Sequence, residues 1–455
     1  MKKLFVSAFT VLVAAASPAR ALTWLISGDA EGCAKLQDVE APYVSALEVK
    51  MSTANTCVYV FEGDEADAVR LRQDVGSGVV VEPDGVVYGG PSVSYTDEVV
   101  EDTGFGAPRS WGLDRIDQLK LPLDQSPFNP VGGGGIGVNI YIIDTGINEA
   151  HEDFGGRVRL GPDFTAAKGS SKKAVDENGH GTHCAGIAAG RTLGVAGQAS
   201  IIGVRVLGAA GTGTTSGVID GITWAMNDAG DKPAILSLSL GGTSSALDKV
   251  AQGAADRGHI VVVAAGNNNG DACNYGPARV GGRARKKKSG VLTIGSTTSA
   301  DYRSGFSNTG ECVDLFAPGS LILSALHSSP TAVGLKSGTS MATPHVAGAL
   351  ALLLNEFGGR RDRAIQELFK RASTGIIRDV RNSPPYFLHL NASSSEPAPP
   401  LPSPSARPTP APTVRKCKDI RHAKACRKAR PRCSWRGAYR GGTCVNRKDW
   451  TEDRA

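Results

Sequence analysis

One serine, one histidine and one aspartate of this 455-residue chain stand in settings suited to nucleophilic catalysis. Ser340 lies at the start of a helical pattern that is apolar on every side, as expected for a helix inside a core. Helix-start N–H groups lack intrahelical partners and carry partial positive charge, so they can stabilise a developing oxyanion. A serine that only caps a buried helix gives the same pattern, so Ser340 alone does not decide between the two.

Asp144 ends a near-continuous apolar run that begins at Val138, which predicts a buried parallel strand. Catalytic groups gather at the carboxyl ends of such strands. His180 lies where a polar loop leads into a small-residue helix. A serine hydroxyl needs a base, histidine titrates near neutral pH, and an acid fixes the imidazole tautomer. The three residue types therefore suit a proton relay for acyl transfer.

The motifs around these residues resemble those of the subtilisin-like serine proteases, in particular the proteinase K and aqualysin branch. They read Ile143-Asp144-Thr145-Gly146, Gly179-His180-Gly181-Thr182-His183 and Gly338-Thr339-Ser340-Met341-Ala342. The order Asp, His, Ser is that of subtilisin. The resemblance implies that Ser340 is the nucleophile, His180 the base and Asp144 the acid that orients it. A fourth motif, Ala264-Ala265-Gly266-Asn267, implies an oxyanion donor at Asn267.

Apolar strand patterns alternate with helical patterns after Asp144, which predicts an α/β fold with a parallel sheet covered by helices on both faces. The resemblance implies the subtilisin-like form of this fold, preceded by a small α+β pro-domain and followed by a small disulfide-rich module. The expected parts are a signal peptide at 1–21, a pro-domain at 22–105, a peptidase domain at 106–392, a Pro-rich linker at 393–414 and a basic Cys-rich module at 415–455.

The N-terminus has the pattern of a secretory signal. Lys2 and Lys3 precede an apolar run, and Ala19-Arg20-Ala21 forms a small-x-small cleavage site. The apolar run is too short to span a bilayer, so the pattern favours secretion over a membrane anchor. We therefore expect an extracellular protein.

The segment that precedes the motifs predicts a small domain of its own. Val44–Val49 and Cys57–Phe61 have strand patterns, and Asp64–Leu71 has a helical pattern. Its position implies the family's pro-domain, which assists folding and then inhibits, although an unrelated small domain fits the pattern as well. The resemblance places the junction with the mature enzyme near Thr103–Ala107 and implies that the precursor processes itself.

The resemblance extends to a cleft for protein and peptide substrates. Two segments would pair with an extended peptide through backbone groups, which tolerates varied sequences: Gly211, Thr212, Gly213 and Ser239, Leu240, Gly241. The implied specificity pocket has no charge at its base, and it is lined by Ala264, Ala265, Gly266 and Tyr275. Such a pocket favours an apolar or aromatic residue before the cut. Ordinary turns are the alternative explanation of the glycine runs.

Nine cysteines in a chain with a secretory signal favour disulfides. We expect Cys33 to pair with Cys57, and the resemblance implies a pair between Cys273 and Cys312. The tail has no C-x-x-C pattern, so two disulfides are favoured over zinc there, with three possible connectivities. Their cysteines are Cys417, Cys426, Cys433 and Cys444. The odd count leaves Cys184 as a free thiol.

Two other functions are compatible with parts of the sequence. His180, His183 and Cys184 could bind zinc from one helix, but no second ligand motif accompanies them and Ser340 would be unexplained. A catalytically inactive binder is the other alternative, and the intact set of catalytic residue types argues against it.

Asp314 matches a calcium-binding aspartate of proteinase K, so the resemblance implies structural Ca²⁺, with no cofactor for catalysis. The chain departs from the family pattern nearby, because residues 281–290 carry five basic residues in what resembles an insertion. This stretch predicts a solvated loop, with a processing site as the alternative.

The tail from Arg415 onward carries 14 Lys or Arg against 4 Asp or Glu, although the whole chain has a net charge of only +6. A basic module on a linker could hold the enzyme near an acidic polymer, and a solubilising or removable tail is the alternative. We expect the protein to be a monomer.

Overall fold

A computed structural model describes residues 22–37, 47–89, 110–130, 132–282 and 290–391, together with the backbone of 433–436 and 443–446. The chain divides into two compact units, Met1–Ser393 and Ser394–Ala455. The expected signal peptide, the linker and the junction near Thr103–Ala107 lie outside the described residues.

The described residues contain twenty β-strands and eight α-helices. The strands are β1 Leu22–Asp29, β2 Glu48–Ser52, β3 Thr56–Gly63, β4 Val79–Pro83, β5 Val86–Gly89, β6 Asn139–Asp144, β7 Val158–Asp163, β8 Ser200–Arg205, β9 Thr212–Thr214, β10 Ile235–Leu238, β11 Leu240–Gly241, β12 Ile260–Ala264, β13 Val291–Thr297, β14 Leu315–Pro318, β15 Ile322–Ala325, β16 Val333–Lys336, β17 Ser373–Thr374, β18 Tyr386–Phe387, β19 Cys433–Arg436 and β20 Thr443–Asn446. The helices are α1 Ala30–Gln37, α2 Glu65–Val75, α3 Trp111–Ile116, α4 His180–Ala189, α5 Thr215–Ala229, α6 Ser245–Asp256, α7 Thr339–Glu356 and α8 Arg361–Arg371.

The first strands form a small antiparallel sheet in the order β2-β3-β1-β4, with α1 and α2 beside it. Asp64 caps α2 through a reciprocal hydrogen bond with Asp67, which explains why the helix starts there. This is the expected α+β segment, although the sequence patterns had not indicated β1. A disulfide joins Cys33 to Cys57 within it.

A nine-stranded sheet with the order β17-β18-β14-β13-β12-β10-β6-β8-β7 forms the centre of the rest of the first unit. Its described pairs are parallel, apart from β17 with β18. Successive side chains of a strand point to opposite faces. Ile140 and Ile142 of β6 accordingly pack in the cluster that holds α4 and α7, while Tyr141 and Ile143 pack in the cluster that holds α5 and α6. The expected parallel sheet with helices on both faces is confirmed.

Helix α7 is buried from Thr339 to Leu354, in agreement with its uniformly apolar pattern. The strand β10 ends at Leu238 and β11 begins at Leu240, so the structure interrupts this apolar run at Ser239. In the second unit, β19 and β20 form an antiparallel pair. In the part of the chain that the structure describes, no helix is both long and apolar enough to cross a membrane.

Candidate active site

Asp144 is the last residue of β6 and His180 is the first residue of α4, so the carboxyl end of this strand meets the N-terminus of the helix. Asp144 Oδ1 and His180 Nδ1 lie 2.7 Å apart, in a hydrogen bond from the ring N–H to the carboxylate. The backbone N–H of Thr145 donates to the same oxygen at 2.7 Å. Within the described residues, the second ring nitrogen of His180, Nε2, has no hydrogen-bond partner. The imidazole is therefore fixed on one side and open on the other.

The environment of His180 sets its basicity. Burial disfavours the imidazolium, but the charge of Asp144 and the hydrogen bond to it outweigh burial, so the pKa of His180 is raised above 6.5. His183, one turn along α4, has no such carboxylate. Its burial lowers the pKa of His183 to about 3. Only the first of the two histidines is thus suited to accept a proton near neutral pH.

Ser340 is the second residue of α7 and is buried. Its hydroxyl donates to the carbonyl oxygen of Ser239 at 3.3 Å, and its own carbonyl accepts from the Ser239 hydroxyl at 2.9 Å. These contacts explain the interruption between β10 and β11, because Ser239 turns its backbone and side chain toward α7. The hydroxyl of Ser340 therefore lies at the N-terminus of α7, next to the interruption between β10 and β11.

Asn267 follows β12 and is bound to the residue that precedes Ser340. Its Oδ1 accepts from the backbone N–H of Thr339 at 2.9 Å and from the Thr339 hydroxyl at 2.8 Å. Because the carbonyl end of the amide is held in this way, its NH₂ end is directed away from Thr339. Gly266 precedes Asn267 with a φ of +99°, and a β-carbon there would lie 2.5 Å from Asn308 Nδ2. Glycine is therefore required for this turn.

Cys184 lies between the histidine and the serine. Its Sγ is 3.4 Å from the carbonyl oxygen of Ser340, and it lies within 4.8 Å of the nearest carboxylate and imidazole atoms of Asp144 and His180. These three side chains are close enough to hold a metal ion. However, His180 Nδ1 is engaged with Asp144, and burial raises the pKa of the Cys184 thiol, which disfavours the thiolate that metals bind.

The zinc alternative also needs His183, and the structure directs that side chain elsewhere. His183 Nε2 is 3.1 Å from the carbonyl oxygen of Gly334, a contact that suits an N–H donor rather than a metal ligand. His180 and His183 share a helix but not a site. The described geometry therefore gives the zinc alternative no support.

Strand β5 of the N-terminal segment lies between the two expected edges of the cleft. It pairs antiparallel with β9 on one side, where Val87 faces Gly213, and with β11 on the other, where Tyr88 faces Gly241. The N–H of Gly89 donates to the carbonyl oxygen of Gly211 at 3.0 Å. The segments that the sequence identified as peptide-binding edges are thus already paired with an extended strand of the same chain.

Successive residues of β5 alternate between the protein and solvent. Val87 is fully buried, whereas Val86 and Tyr88 are more than half exposed. Gly89 reaches the catalytic residues, because a β-carbon built on it would lie 3.7 Å from His180 Nδ1 and 2.9 Å from Leu207 Cδ1. Only a glycine enters this narrow position without displacing Leu207.

Comparisons with known proteins identify the family of the chain. Residues 135–393, more than half of the chain, match the model of the subtilase family of peptidases. The chain belongs to the subtilase family. It is 44% identical over 346 residues to the extracellular serine proteinase of Thermus sp. (strain Rt41A), covering 75% of this chain and 77% of that protein. The matched domain is thus of the serine-type endopeptidase class.

Two further subtilases are similar. Alkaline serine exoprotease A of Vibrio alginolyticus is 50% identical over 277 residues, which is 60% of this chain, and the chain spans about half (48%) of that relative's length. A cold adapted subtilisin-like serine proteinase of known crystal structure is 48% identical, with a TM-score of 0.57, covering 62% of this chain and 98% of that structure. The chain thus has the subtilisin-like fold that the motifs implied.

The residues expected to line the subtilase specificity pocket lie on segments adjoining the cleft. Ala264 and Ala265 are buried at the end of β12, and the N–H of Gly266 donates to the Thr339 hydroxyl at 3.2 Å. The segment with Tyr275 reaches β11 through a bridge between its neighbour Gly276 and Gly242.

The sequence analysis missed the carboxylate that shapes the loop before His180. Buried Asp176 accepts hydrogen bonds from the Gly179 N–H at 2.8 Å, from the Thr145 hydroxyl at 2.8 Å and from the N–H and hydroxyl of Thr182. Burial works against ionisation of Asp176, but these hydrogen bonds outweigh it, so its pKa is lowered. The Asp-x-x-Gly-His spacing before a helix was the available signal, since loop aspartates commonly accept backbone N–H groups.

Asn308 plays the same part for the loop that carries Asn267, and it was also missed. Its Nδ2 donates to the carbonyl of Ala265 at 2.9 Å, and its Oδ1 accepts from the N–H groups of Asn268 and Gly270. No local pattern marks Asn308, because its partners lie about forty positions earlier in the chain.

Asp314, the residue expected to bind Ca²⁺, connects two backbone segments. Its Oδ2 accepts from the N–H groups of Gly282 and Thr293, both at 2.9 Å. Most of the basic stretch at 281–290 lies outside the described residues.

The cysteines that the structure describes follow the expected arrangement. A disulfide joins Cys273 to Cys312, and Cys184 is buried and is the one described cysteine outside a disulfide. Cys417 and Cys426 lie outside the described residues, and only backbone is described at Cys433 and Cys444. The tail pairings therefore stay predictions.

Proposed function

We propose that this subtilase is a secreted serine endopeptidase that hydrolyses peptide bonds through an acyl-enzyme, with Asp144, His180 and Ser340 as its catalytic triad. The observation that carries the proposal is the 2.7 Å pair of His180 and Asp144, which lies within 4.8 Å of Cys184 Sγ, itself 3.4 Å from the carbonyl oxygen of Ser340. The imidazole nitrogen left without a partner, Nε2, is the one a general base needs.

The reaction begins when the Ser340 hydroxyl attacks the substrate carbonyl carbon and His180 Nε2 takes the hydroxyl proton. The imidazolium then gives this proton to the leaving amine as the C–N bond breaks, which leaves an ester on Ser340. Water attacks the ester in the same way, with His180 again as the base, and releases the acid. Asp144 stabilises the imidazolium in both halves.

The oxyanion of each tetrahedral intermediate is stabilised by Asn267 and by the helix start at Ser340. Thr339 fixes the carbonyl end of the Asn267 amide, so its NH₂ end is preorganised and need not turn during the reaction. Donors of this kind act on the charge that develops in the transition state.

Substrates bind as an additional strand between β9 and β11, in the way that β5 does. Backbone pairing at this position accounts for broad specificity, because it does not depend on side chains. The apolar walls formed by Ala264, Ala265, Gly266 and Tyr275 favour an apolar or aromatic residue before the cut. Casein-like proteins are the natural assay substrates, and a strict preference for Lys or Arg would contradict this pocket.

The N-terminal segment acts as an intramolecular inhibitor, since β5 occupies the substrate position. It is also anchored outside the cleft, where Lys50 of β2 pairs with Asp220 of α5 at 2.9 Å. Gly89, the last residue of β5, lies beside His180. This position favours a first self-cleavage shortly after Gly89, with later trimming toward Thr103–Ala107.

Maturation is tested by expressing Ser340→Ala in a host without related secreted proteases. We expect the variant to remain a precursor that begins near Leu22, whereas the wild type is cut after Gly89. A variant that appears with the wild-type N-terminus would contradict self-processing. Trace active enzyme added to a purified Ser340→Ala precursor should make the cut in trans, which would show that the variant is still folded and cleavable.

The remaining parts of the proposal concern the environment of the enzyme. The N-terminal signal pattern and relatives named as extracellular or as exoproteases support secretion. Acidic polymers are the proposed ligands of the basic tail, and the enzyme acts as a monomer. Structural Ca²⁺ also stays a proposal, with Asp314 as one ligand. A melting temperature unchanged by a chelator would remove it.

A further inference from the structure

Two helices beside the cleft hold carboxylates of the N-terminal segment at their N-termini. At α5, Asp84 accepts hydrogen bonds from the Ser216 N–H at 2.9 Å and from the Ser216 hydroxyl at 2.5 Å. At α6, Glu82 accepts from the Ser244 hydroxyl at 2.6 Å and from the N–H groups of Ser245 and Ala246 at 3.1 and 2.9 Å. Each carboxylate therefore takes at least two donors from its helix.

These carboxylates do not replace the helices' own caps. The Thr214 side chain already accepts from Gly217 N–H, and the Ser244 side chain already accepts from Leu247 N–H. Asp84 and Glu82 bind the donors that these caps leave open. Helix N-termini with free N–H groups and partial positive charge favour anions. The donors therefore remain on the catalytic part of the chain after the N-terminal segment has left.

The site at α5 is continuous with the substrate cleft. The carbonyl of Gly85 accepts from the Thr215 N–H at 2.9 Å, and β5 follows directly, with Val86 facing Thr214. One extended segment thus runs from the carboxylate of Asp84 to His180. A substrate that lies in the cleft in the same direction carries its own side chain to the N-terminus of α5.

We propose that the N-termini of α5 and α6 form an acid-binding exosite of the mature enzyme, made by Ser216 and Ser244–Ala246. It takes acidic side chains of protein substrates that lie upstream of the cut at the positions of Asp84 and Glu82. The inference rests on the proposed function, in which the cleft binds substrates as β5 is bound and the N-terminal segment is released.

The charged groups near the exosite are compatible with this ligand. Asp248 of α6 is balanced within the catalytic part by Arg279, at 2.7 Å. Asp220 lies one turn along α5 from Ser216 and loses Lys50 when the N-terminal segment leaves. Lys50 belongs to β2 and not to the segment that leads into β5. A substrate strand that takes the position of β5 therefore does not bring an acidic side chain next to Asp220. A substrate strand bound in the cleft therefore meets partial positive charge at the N-termini of α5 and α6.

The test compares two peptide nitroanilides with the processed, active protein. One reads Glu-Pro-Asp-Gly-Val-Val-Tyr-Gly-Phe. Its first eight residues are those of the chain from Glu82 to Gly89, and Phe is the residue before the cut. The other has Gln and Asn in place of Glu and Asp. Charge-assisted hydrogen bonds exceed neutral ones, so we expect kcat/KM to be about tenfold higher for the acidic peptide at low salt. The ratio should fall in 1 M salt because exposed charges are screened.

Two variants assign the effect to the exosite. Ser216→Ala removes a donor to the substrate acid without removing the α5 cap, so it should reduce the ratio between the peptides several-fold. Ser299→Ala, in the exposed loop after β13, is the matched control and should leave the ratio as in the wild type.

The outcomes separate the two proposals. Equal kcat/KM for both peptides, or a ratio that Ser216→Ala leaves intact, would overturn the exosite while leaving the endopeptidase in place. A protein that cleaves neither peptide and no casein would overturn the proposed function, and the exosite with it.

Discussion

The sulfur of Cys184 lies 3.4 Å from the carbonyl oxygen of Ser340 and within 4.8 Å of the proposed catalytic atoms of Asp144 and His180. A mercurial bound to this buried thiol must displace His180 or the start of α7. We therefore expect stoichiometric modification of Cys184 to lower kcat by at least tenfold, measured with a small peptide substrate. Cys184→Ala should stay active and become insensitive to the reagent. Full activity of the modified wild type would contradict this placement.

The acid limb of the activity profile should reflect the raised pKa of His180. The base must be neutral, so kcat/KM falls as pH drops through this pKa, which lies above 6.5 because Asp144 outweighs burial. Asp144→Asn removes the charge, so the limb should move to lower pH, and kcat should fall about 10⁴-fold because the tautomer is no longer fixed. A limb that does not move in Asp144→Asn would show that another group titrates.

Asn267→Ala should act on the transition state and hardly on substrate binding. We expect kcat to fall by about 10²–10³ with little change in KM, as for loss of one oxyanion donor. Because Asn267 Oδ1 also binds Thr339, a melting curve must show that the variant is folded. A large rise in KM with unchanged kcat would assign Asn267 to substrate binding instead.

The C-terminal tail should be dispensable for peptide cleavage. The first compact unit ends at Ser393, next to the expected domain end at Ala392. Truncation after Ala392 should leave kcat/KM on a short peptide within about twofold of the full chain, because the tail is a separate unit. Weaker retention on an immobilised acidic polymer is the expected second effect. A truncated protein that fails to fold would refute the boundary.

Local signals were sufficient for much of this molecule. Asp144, His180 and Ser340 each lie at the end or the start of a strand or helix. The residues next to each of them have the pattern of that strand or helix, so their surroundings could be predicted. The parallel sheet followed from the alternation of strand and helix patterns.

The features that were not predicted from the sequence depend on contacts between residues that are far apart in the chain. Strand β5 is four residues long, and its partners β9 and β11 lie more than 120 positions later, so nothing local marks it as the occupant of the cleft. The hydrogen bonds of Asn308 across forty positions are similar. Asp314 likewise binds Gly282 and Thr293, which lie 32 and 21 positions earlier in the chain.

The central claim is that Ser340 is the nucleophile activated by His180, and active-site labelling tests it most directly. The processed protein is treated with a fluorophosphonate, and the adduct is located by mass spectrometry of a digest. We predict a single adduct on Ser340 that forms in parallel with loss of casein hydrolysis, is absent from Ser340→Ala and is strongly reduced in His180→Ala. Complete loss of casein hydrolysis without an adduct on Ser340, or casein hydrolysis by Ser340→Ala itself at the wild-type rate, would contradict the account.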